Sequence, residues 1–153
     1  MFLGTYEGKW DGEGYLKVPQ ELRPRLALGF VLTRGLGGCL WIYPLPQWRS
    51  LVEELGRLPF SRADARALGR FLFAEAQECQ LSEKGYLFIP ESLRRYGLLE
   101  GETLVVGLDS HLEIWDTRRW QDLMLEIEEE AISIGERVSE RLLLLQPDGG
   151  IKR

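Results

Sequence analysis

The 153-residue chain has no asparagine, one histidine, two cysteines and only four lysines. Cys39 and Cys79 stand 40 residues apart in no CxxC pair, so no metal site is expected, and the thiols are expected to be reduced core residues. No apolar run approaches the roughly 18 residues of a membrane span. Because the N-terminal residues lack a basic segment followed by an apolar stretch, we expect a cytoplasmic location and no membrane partner.

Catalytic constellations are also missing from the sequence. The glycines of residues 12–14 and 35–38 are too closely spaced and wrongly placed for a dinucleotide-binding loop. Acidic residues are plentiful, but no histidine or cysteine accompanies them in an arrangement typical of nucleophilic or acid–base catalysis. We therefore predict that the protein is not an enzyme and has no catalytic residues.

Charge alone argues mildly against nucleic acid, since the formal net charge is −5. Its distribution is uneven, however. Acidic residues crowd toward the C-terminal end, at Glu126, Glu128, Glu129, Glu130, Glu136 and Glu140. Residues 1–34 are close to neutral, so a basic surface on one protomer would be weak and would gain affinity from repetition in an oligomer.

A tandem duplication organises the chain. Residues 14–23 read GYLKVPQELR and residues 85–94 read GYLFIPESLR, which at an offset of 71 gives six identities in ten positions. Residues 40–43 and Trp48 match residues 112–115 and Trp120 at an offset of 72. Because a chance match would not recur downstream in the same order, the two segments are predicted to be structural repeats.

Each repeat is predicted to contain short strands that end at glycine or proline. The predicted strands are residues 15–18, 30–33, 39–43, 86–89, 103–107 and 112–115. Short strands of this kind favour a small barrel. A unit of about 45 residues is marginal as an isolated core, so the two units are expected to pack together.

Helices are predicted after the strands. Residues 20–28 predict a brief helical turn, residues 47–57 and 62–77 two helices, and a long last helix begins near Thr117. That helix carries an apolar heptad seam at positions 120, 124, 127, 131, 134 and 138, which could pack on the barrel or pair between subunits. Residues 146–153 are expected to form a loose tail.

The chain contains several uncommon strings: MF (1–2), TRG (33–35), YPLPQW (43–48), DARA (64–67), RFLF (70–73), ECQ (78–80), LRRY (93–96) and EIWD (113–116). Together they resemble the MraZ family of bacterial transcription regulators, nearly without gaps over about residues 1–125. The resemblance implies an α+β fold of two tandem AbrB-like swapped-hairpin barrel units related by a pseudo-twofold repeat, with flanking helices. On that basis residues 1–60 and 77–145 would be the two domains and residues 61–76 a connecting helix.

The same resemblance implies a function. It predicts a sequence-specific DNA-binding regulator of the cell-division and cell-wall gene cluster, which acts as a homo-oligomeric ring on direct repeats in a promoter. It further implies a nucleoid-associated protein without a cofactor or a small-molecule substrate. One different function stays open, an oligomeric protein-interaction scaffold that keeps the fold and has weak or no DNA binding.

One family signature is altered in this chain. The signature is an Asp, three variable residues and an Arg in each repeat, but Tyr15 follows Asp11, and Ser82 and Tyr86 replace both residues in the second repeat. A further acidic residue, Glu13, would repel a phosphate backbone. Both changes favour the scaffold alternative.

Other residues must therefore contact DNA if this chain binds it. The candidates, in order, are Lys9 and Lys17 around the first hairpin, then Arg23 and Arg25, with Asp11 and Tyr15 from the altered signature. Each could equally be an ordinary surface residue, and Tyr15 an ordinary packing residue. A basic helical stripe of Arg62, Arg66 and Arg70 is a weaker candidate, because helical arginines often pair with nearby Glu.

Overall fold

A computed structural model describes residues 1–59 and 61–145 of the chain. It divides into two units, Met1–Arg118 and Arg119–Arg153. Eight strands lie in the first unit: β1 (Phe2–Trp10), β2 (Tyr15–Lys17), β3 (Phe30–Arg34), β4 (Leu40–Pro44), β5 (Gln77–Cys79), β6 (Tyr86–Phe88), β7 (Thr103–Asp109) and β8 (His111–Asp116). The described residues also form four α-helices, α1 (Leu45–Gly56), α2 (Ala63–Phe73), α3 (Glu91–Gly97) and α4 (Thr117–Leu145).

The strands form one antiparallel sheet that nearly closes into a barrel, in the order β5-β3-β4-β8-β7-β1-β2-β6. The two repeats are interleaved in it. Strand β1 of the first repeat pairs with β7 of the second, and β3 pairs with β5. Two further pairs, β2–β6 and β4–β8, also join the repeats. The duplicated fold expected from the sequence is therefore confirmed, and neither repeat completes the sheet alone.

A pseudo-twofold axis runs through two of these strand pairs. Leu16 lies opposite Leu87 in β2–β6, and Trp41 lies opposite Glu113 in β4–β8. These partners are separated by 71 and 72 residues, the offsets at which the sequence repeats. The duplication in the sequence is thus the symmetry of the sheet.

The core follows the same symmetry. Its buried members include repeat-related pairs of aliphatic residues, listed as Leu16 and Leu87, Val18 and Ile89, Leu22 and Leu93, Leu40 and Leu112, and Ile42 and Ile114. Burial of one such side chain contributes about 1.5–3 kcal/mol. Because each repeat supplies one member of every pair, the core needs both.

The six predicted strands are all present, with ends shifted by one or two residues. Strands β1 and β5 were not predicted, because glycines interrupt the apolar alternation of Phe2–Trp10, and Gln77–Cys79 is short and mostly polar. The turn predicted over residues 20–28 consists of two 3-10 turns, Gln20–Leu22 and Pro24–Leu26. In the second repeat the equivalent segment forms helix α3. Helix α2 is shorter than the predicted 62–77, since it ends at Phe73.

The cysteines are free thiols in the described chain, with Cys39 buried and Cys79 half-buried. Burial raises the pKa of the Cys79 thiol, so it stays protonated at neutral pH. Helix α4 begins at Thr117 and continues through the second unit to Leu145. No helix within residues 1–59 and 61–145 combines the length and the apolar character needed to cross a membrane. The tail predicted for residues 146–153 lies outside the described residues.

Candidate nucleic-acid interface

Two equivalent turns introduce β2 and β6. Turn 1 is residues 11–14 and turn 2 is residues 82–85. In turn 1 the Asp11 carboxylate accepts hydrogen bonds from the backbone N–H groups of Glu13 at 2.7 Å and Tyr15 at 3.1 Å. In turn 2 the Ser82 hydroxyl accepts one from the Tyr86 N–H at 3.0 Å. Asp11, a DNA-binding candidate from the sequence, is therefore placed as a turn-capping residue, and Ser82 makes one of the same bonds.

An arginine from each repeat lies against the turn of the other repeat. A Cβ atom on Gly85 would lie 2.3 Å from the Arg23 guanidinium, and one on Gly14 would lie 2.8 Å from that of Arg94. Both glycines have positive φ, +85° and +95°. Arg23 also donates its Nε hydrogen to the Val18 carbonyl at 2.8 Å. The candidate Arg23 is thus half-buried and held in the barrel, where it supports turn 2.

The outer surface of β2 and β6 forms a four-residue block, which we call the β2–β6 face: Tyr15, Lys17, Tyr86 and Phe88. Their neighbours Leu16 and Leu87 point into the core, so these four point outward. Tyr15 lies opposite Phe88, and Lys17 lies opposite Tyr86. The face therefore holds three aromatic rings and one ammonium group.

The two leading candidates meet beside this face. Lys9 of β1 lies directly opposite Lys17 of β2, with Lys9 exposed and Lys17 half-buried. Lys17 Nζ lies 5.7 Å from the centre of the Tyr86 ring. Among the described residues, no carboxylate forms an ion pair with either ammonium. Like charges directly opposite each other destabilise a sheet, so a bound anion would stabilise the Lys9–Lys17 pair.

A further cation was missed by the sequence analysis. Lys84 is exposed in turn 2, immediately before Gly85, and the Gly85 carbonyl accepts a hydrogen bond from the Val18 N–H at 2.9 Å. Turn 2 thus lies at the Lys17 end of β2. The duplication could have identified Lys84 as a candidate, because the offset of 71 makes it the equivalent of Glu13 in turn 1. The cations gather around turn 2 rather than around turn 1.

Other basic candidates lie elsewhere. The exposed Arg25 guanidinium lies 5.8 Å from the ring centre of Phe2, at the opposite end of β1 from Lys9. The stripe of Arg62, Arg66 and Arg70 is exposed around α2, and Arg66 has an interaction partner. The structure therefore brings Lys9, Lys17 and Tyr15 onto neighbouring strands, with Arg25 apart from them.

An aromatic cluster covers the outside of β4 and β8. The Glu113 carboxylate accepts indole N–H bonds from Trp41 and Trp115, each at 2.9 Å. The His111 ring stacks on Tyr43 with 4.4 Å between centroids. Burial, opposed by the Glu113 charge, lowers the pKa of His111, and burial together with Glu113 raises the pKa of Tyr43 to about 12. Because both Glu113 carboxylate oxygens accept hydrogen bonds from indoles, we interpret the cluster as a packing arrangement and not as an acid–base pair.

A cleft of about 650 Å³ lies between turn 1 and α3. Its lining includes Gly12, Gly14, Arg94, Arg95 and Leu98. Arg95 is paired with Glu91 at 2.9 Å, on an exposed surface. Within the described part of the chain, no group of three or more His, Cys, Asp or Glu side chains is placed to hold a metal ion.

Comparison with known proteins agrees with the duplicated fold. A sequence model described as "MraZ protein, putative antitoxin-like" matches the chain twice, over residues 1–71 and 72–142. Relatives of nearly full length carry the name "Transcriptional regulator MraZ". One from Heliobacterium modesticaldum is 41% identical over 143 residues, covering 94% of this chain and 97% of the relative.

A second relative gives the same result. The protein from Pediococcus pentosaceus, with the same name, is 40% identical over 138 residues, which are 90% of this chain and 96% of the relative. The family resemblance seen in the short sequence strings is therefore confirmed over both repeats. Since the family model covers residues 1–142 in two matches and the relatives align almost end to end, this chain belongs to the MraZ family.

Proposed function

We propose that this protein is a transcription regulator that binds double-stranded DNA through the β2–β6 face, the adjacent part of β1 and turn 2. The observation that carries the proposal is the side-by-side placement of Lys9 and Lys17, which form no ion pair with any carboxylate in the described part of the chain. The regulator name of its relatives supports the same conclusion. The protein would then act in the cytoplasm on the nucleoid, without catalysis or a cofactor.

In this function the lysines bind the DNA backbone. Two ammonium groups on neighbouring strands can each approach a phosphate, and such contacts fix the position of the protein without reading sequence. Base recognition would come from groups beside them, such as the Tyr15 hydroxyl or Lys84. Each neutralised phosphate contributes about 0.9 to the salt slope of binding, so a few contacts per protomer give weak binding at physiological salt.

Weak single sites make assembly important. We infer that the protein forms a closed homo-oligomeric ring. Several copies of one weak site that bind direct repeats together have a higher overall affinity for the DNA than a single site has. Helix α4 carries the expected seam, in which Ile127 is 37% and Val138 50% exposed. Pairing of that seam between subunits would provide the contact. The cell-division and cell-wall gene cluster is the proposed target, by likeness to the family.

The scaffold alternative has its own support. Tyr15 and Tyr86 stand where the family signature has Arg, Glu13 adds an acidic group to turn 1, and the net charge is −5. A protein of the same fold that only assembles with itself or with another protein would have these features. It would form the oligomer and fail to bind DNA.

A mobility-shift experiment separates the two functions. The full chain is titrated into the DNA upstream of its own gene and into a shuffled duplex of equal length and composition. The proposal predicts a shift of the upstream DNA at lower protein concentration than the shuffled duplex. An oligomer that shifts neither duplex, even at low salt, would support the scaffold and contradict DNA binding.

Residue assignments are tested by alanine variants with a charge-matched control. Lys9→Ala and Lys17→Ala should weaken binding to both duplexes by a similar factor. Arg57→Ala removes the same charge from the exposed end of α1, where Arg57 pairs with Glu54, and should leave binding unchanged. Equal losses in all three variants would mean that only net charge matters.

A further inference from the structure

The β2–β6 face exposes more aromatic surface than phosphate binding requires. Tyr15 is 40% and Phe88 45% exposed, and their ring centres are 5.1 Å apart with planes tilted by 55°. A phosphate-binding surface uses cations and polar groups, so it gains nothing from an exposed phenyl ring. The rings point to a ligand with flat faces of its own.

The arrangement of the face combines these rings with cations. Under the pseudo-twofold relation Tyr15 corresponds to Tyr86, and Lys17 corresponds to Phe88. One corner of the block is therefore cationic and the opposite corner apolar. Lys17 is next to the Tyr86 ring at 5.7 Å, and Lys9 continues the cationic side onto β1. Aromatic platforms flanked by lysines are how proteins hold unpaired bases together with their phosphates.

We infer that the β2–β6 face binds unpaired nucleobases, which stack on Tyr15 and Phe88 while Lys17 and Lys9 contact the adjacent phosphates. This inference rests on the proposed function, because it assigns a second nucleic-acid ligand to the same surface. In an intact duplex the base faces are covered by their neighbours, and only base edges are open in the grooves. Rings on the outside of a strand pair therefore reach base faces only in a single strand or in an opened duplex.

Binding of unpaired bases also explains why Tyr15 stands where the family signature has Arg. An Arg at position 15 would add charge for a phosphate or a guanine edge, whereas Tyr15 supplies a stacking surface and a hydroxyl. The exchange of Arg for Tyr shifts the preference of the face from closed to opened DNA. A single-stranded DNA and an RNA present the same chemistry, so the experiment includes both.

Fluorescence anisotropy of the full chain with four labelled probes tests the inference. The probes are a duplex, the same duplex with a central mismatched bubble, one of its strands alone, and an RNA of that strand's sequence. The wild-type protein should bind the bubble and single-stranded probes about tenfold more tightly than the duplex. Tighter binding of the RNA than of the DNA strand would identify RNA as the ligand and would support the stacking contact.

Variants locate the contact on the rings. Tyr15→Leu and Phe88→Leu keep an apolar side chain and should each lose about tenfold affinity for the single-stranded probes. Phe88→Leu should lose less than about twofold for the duplex, because Phe88 has no part in the duplex contact proposed above. Tyr15→Phe should keep the wild-type affinity for the single-stranded probes, since it keeps the ring. Phe73→Leu is the matched control, because Phe73 is 42% exposed but lies on α2, and it should bind as the wild type does.

Two failures are distinguishable. If the duplex binds well but the bubble and the single strands bind no better, and both leucine variants behave as the wild type, the stacking inference is wrong and the proposed function stands. If none of the four probes binds at low salt, the proposed function is wrong as well. Unchanged melting temperatures of the variants show that the losses are not unfolding.

Discussion

Gly85→Ala tests the contact between the two repeats at turn 2. Alanine at φ +85° costs about 1–2 kcal/mol of backbone strain. Its Cβ would also lie 2.3 Å from the Arg23 guanidinium, which must move. Movement breaks the 2.8 Å hydrogen bond from Arg23 to the Val18 carbonyl, and a bond from a charged donor contributes about 1.5–3 kcal/mol. We expect a total loss of about 2.5–5 kcal/mol in the free energy of unfolding.

Urea denaturation, followed by tryptophan fluorescence, measures this loss. Gly12→Ala is the matched control, because Gly12 has φ +88° but a Cβ there would meet no atom within 4 Å. It should therefore lose only the strain, about 1–2 kcal/mol. In an Arg23→Ala background, Gly85→Ala should likewise fall to the cost of strain alone. Equal losses for Gly85→Ala and Gly12→Ala would refute the support of turn 2 by Arg23.

Three further predictions address pH, assembly and the altered signature. Burial lowers the pKa of His111 below its ordinary 6.5, so the unfolded chain takes up this proton first as pH falls. The His111 contribution to stability is therefore complete above about pH 6.5 and is lost below it, and His111→Phe should flatten the fall in melting temperature as the pH decreases below about 6.5. Light scattering should give a mass well above a dimer, and Ile127→Glu with Val138→Glu should lower it; a wild-type monomer at micromolar concentration would contradict the ring. Tyr15→Arg with Glu13→Lys adds one and two positive charges, three in total, and should tighten duplex binding with a steeper salt slope, whereas an unchanged slope would place turn 1 away from DNA.

The duplication in the sequence was enough to predict the content of the fold but not the pairing of its strands. Pro19 and Pro44 mark strand ends, and the offset of 71 identifies Leu16 and Leu87 as equivalents. That these two residues are also direct partners across β2–β6 depends on the interleaving of the repeats. Interleaving is a tertiary arrangement, and one repeat examined alone carries no signal for it.

Strand β1 shows a second limit of the sequence. Half-buried and exposed residues alternate from Tyr6 to Trp10, but Gly4 and Gly8 interrupt the apolar side of that alternation, and only Phe2 is fully buried. It is held instead by seven paired positions with β7 and by the Trp10 indole, which donates a hydrogen bond to Thr103 Oγ1 at 2.8 Å. Both partners lie in the other repeat. Local pattern therefore could not identify a strand whose stability comes from residues more than ninety positions away.

The candidate site was predictable in part. Lys9 and Lys17 could be selected from the sequence because they are lysines on either side of a predicted hairpin. The register of β1 and β2 places them opposite each other. Asp11 and Arg23 were selected by charge or family likeness, but the structure places them in turn support. The role of Arg23 depends on Gly85, which is far away in the sequence but adjacent in the fold. The bonds of Asp11 are local, to the N–H groups of Glu13 and Tyr15.

The salt dependence of DNA binding tests the central claim most directly. The affinity of the full chain for the DNA upstream of its own gene is measured at several salt concentrations, for the wild type and for Lys9→Ala with Lys17→Ala. If each ammonium neutralises one phosphate, the double variant should bind more weakly and lose about 1.8 in the slope of log K against log salt for each engaged protomer. A double variant that keeps both the wild-type affinity and the wild-type slope would contradict the assignment of this surface to DNA.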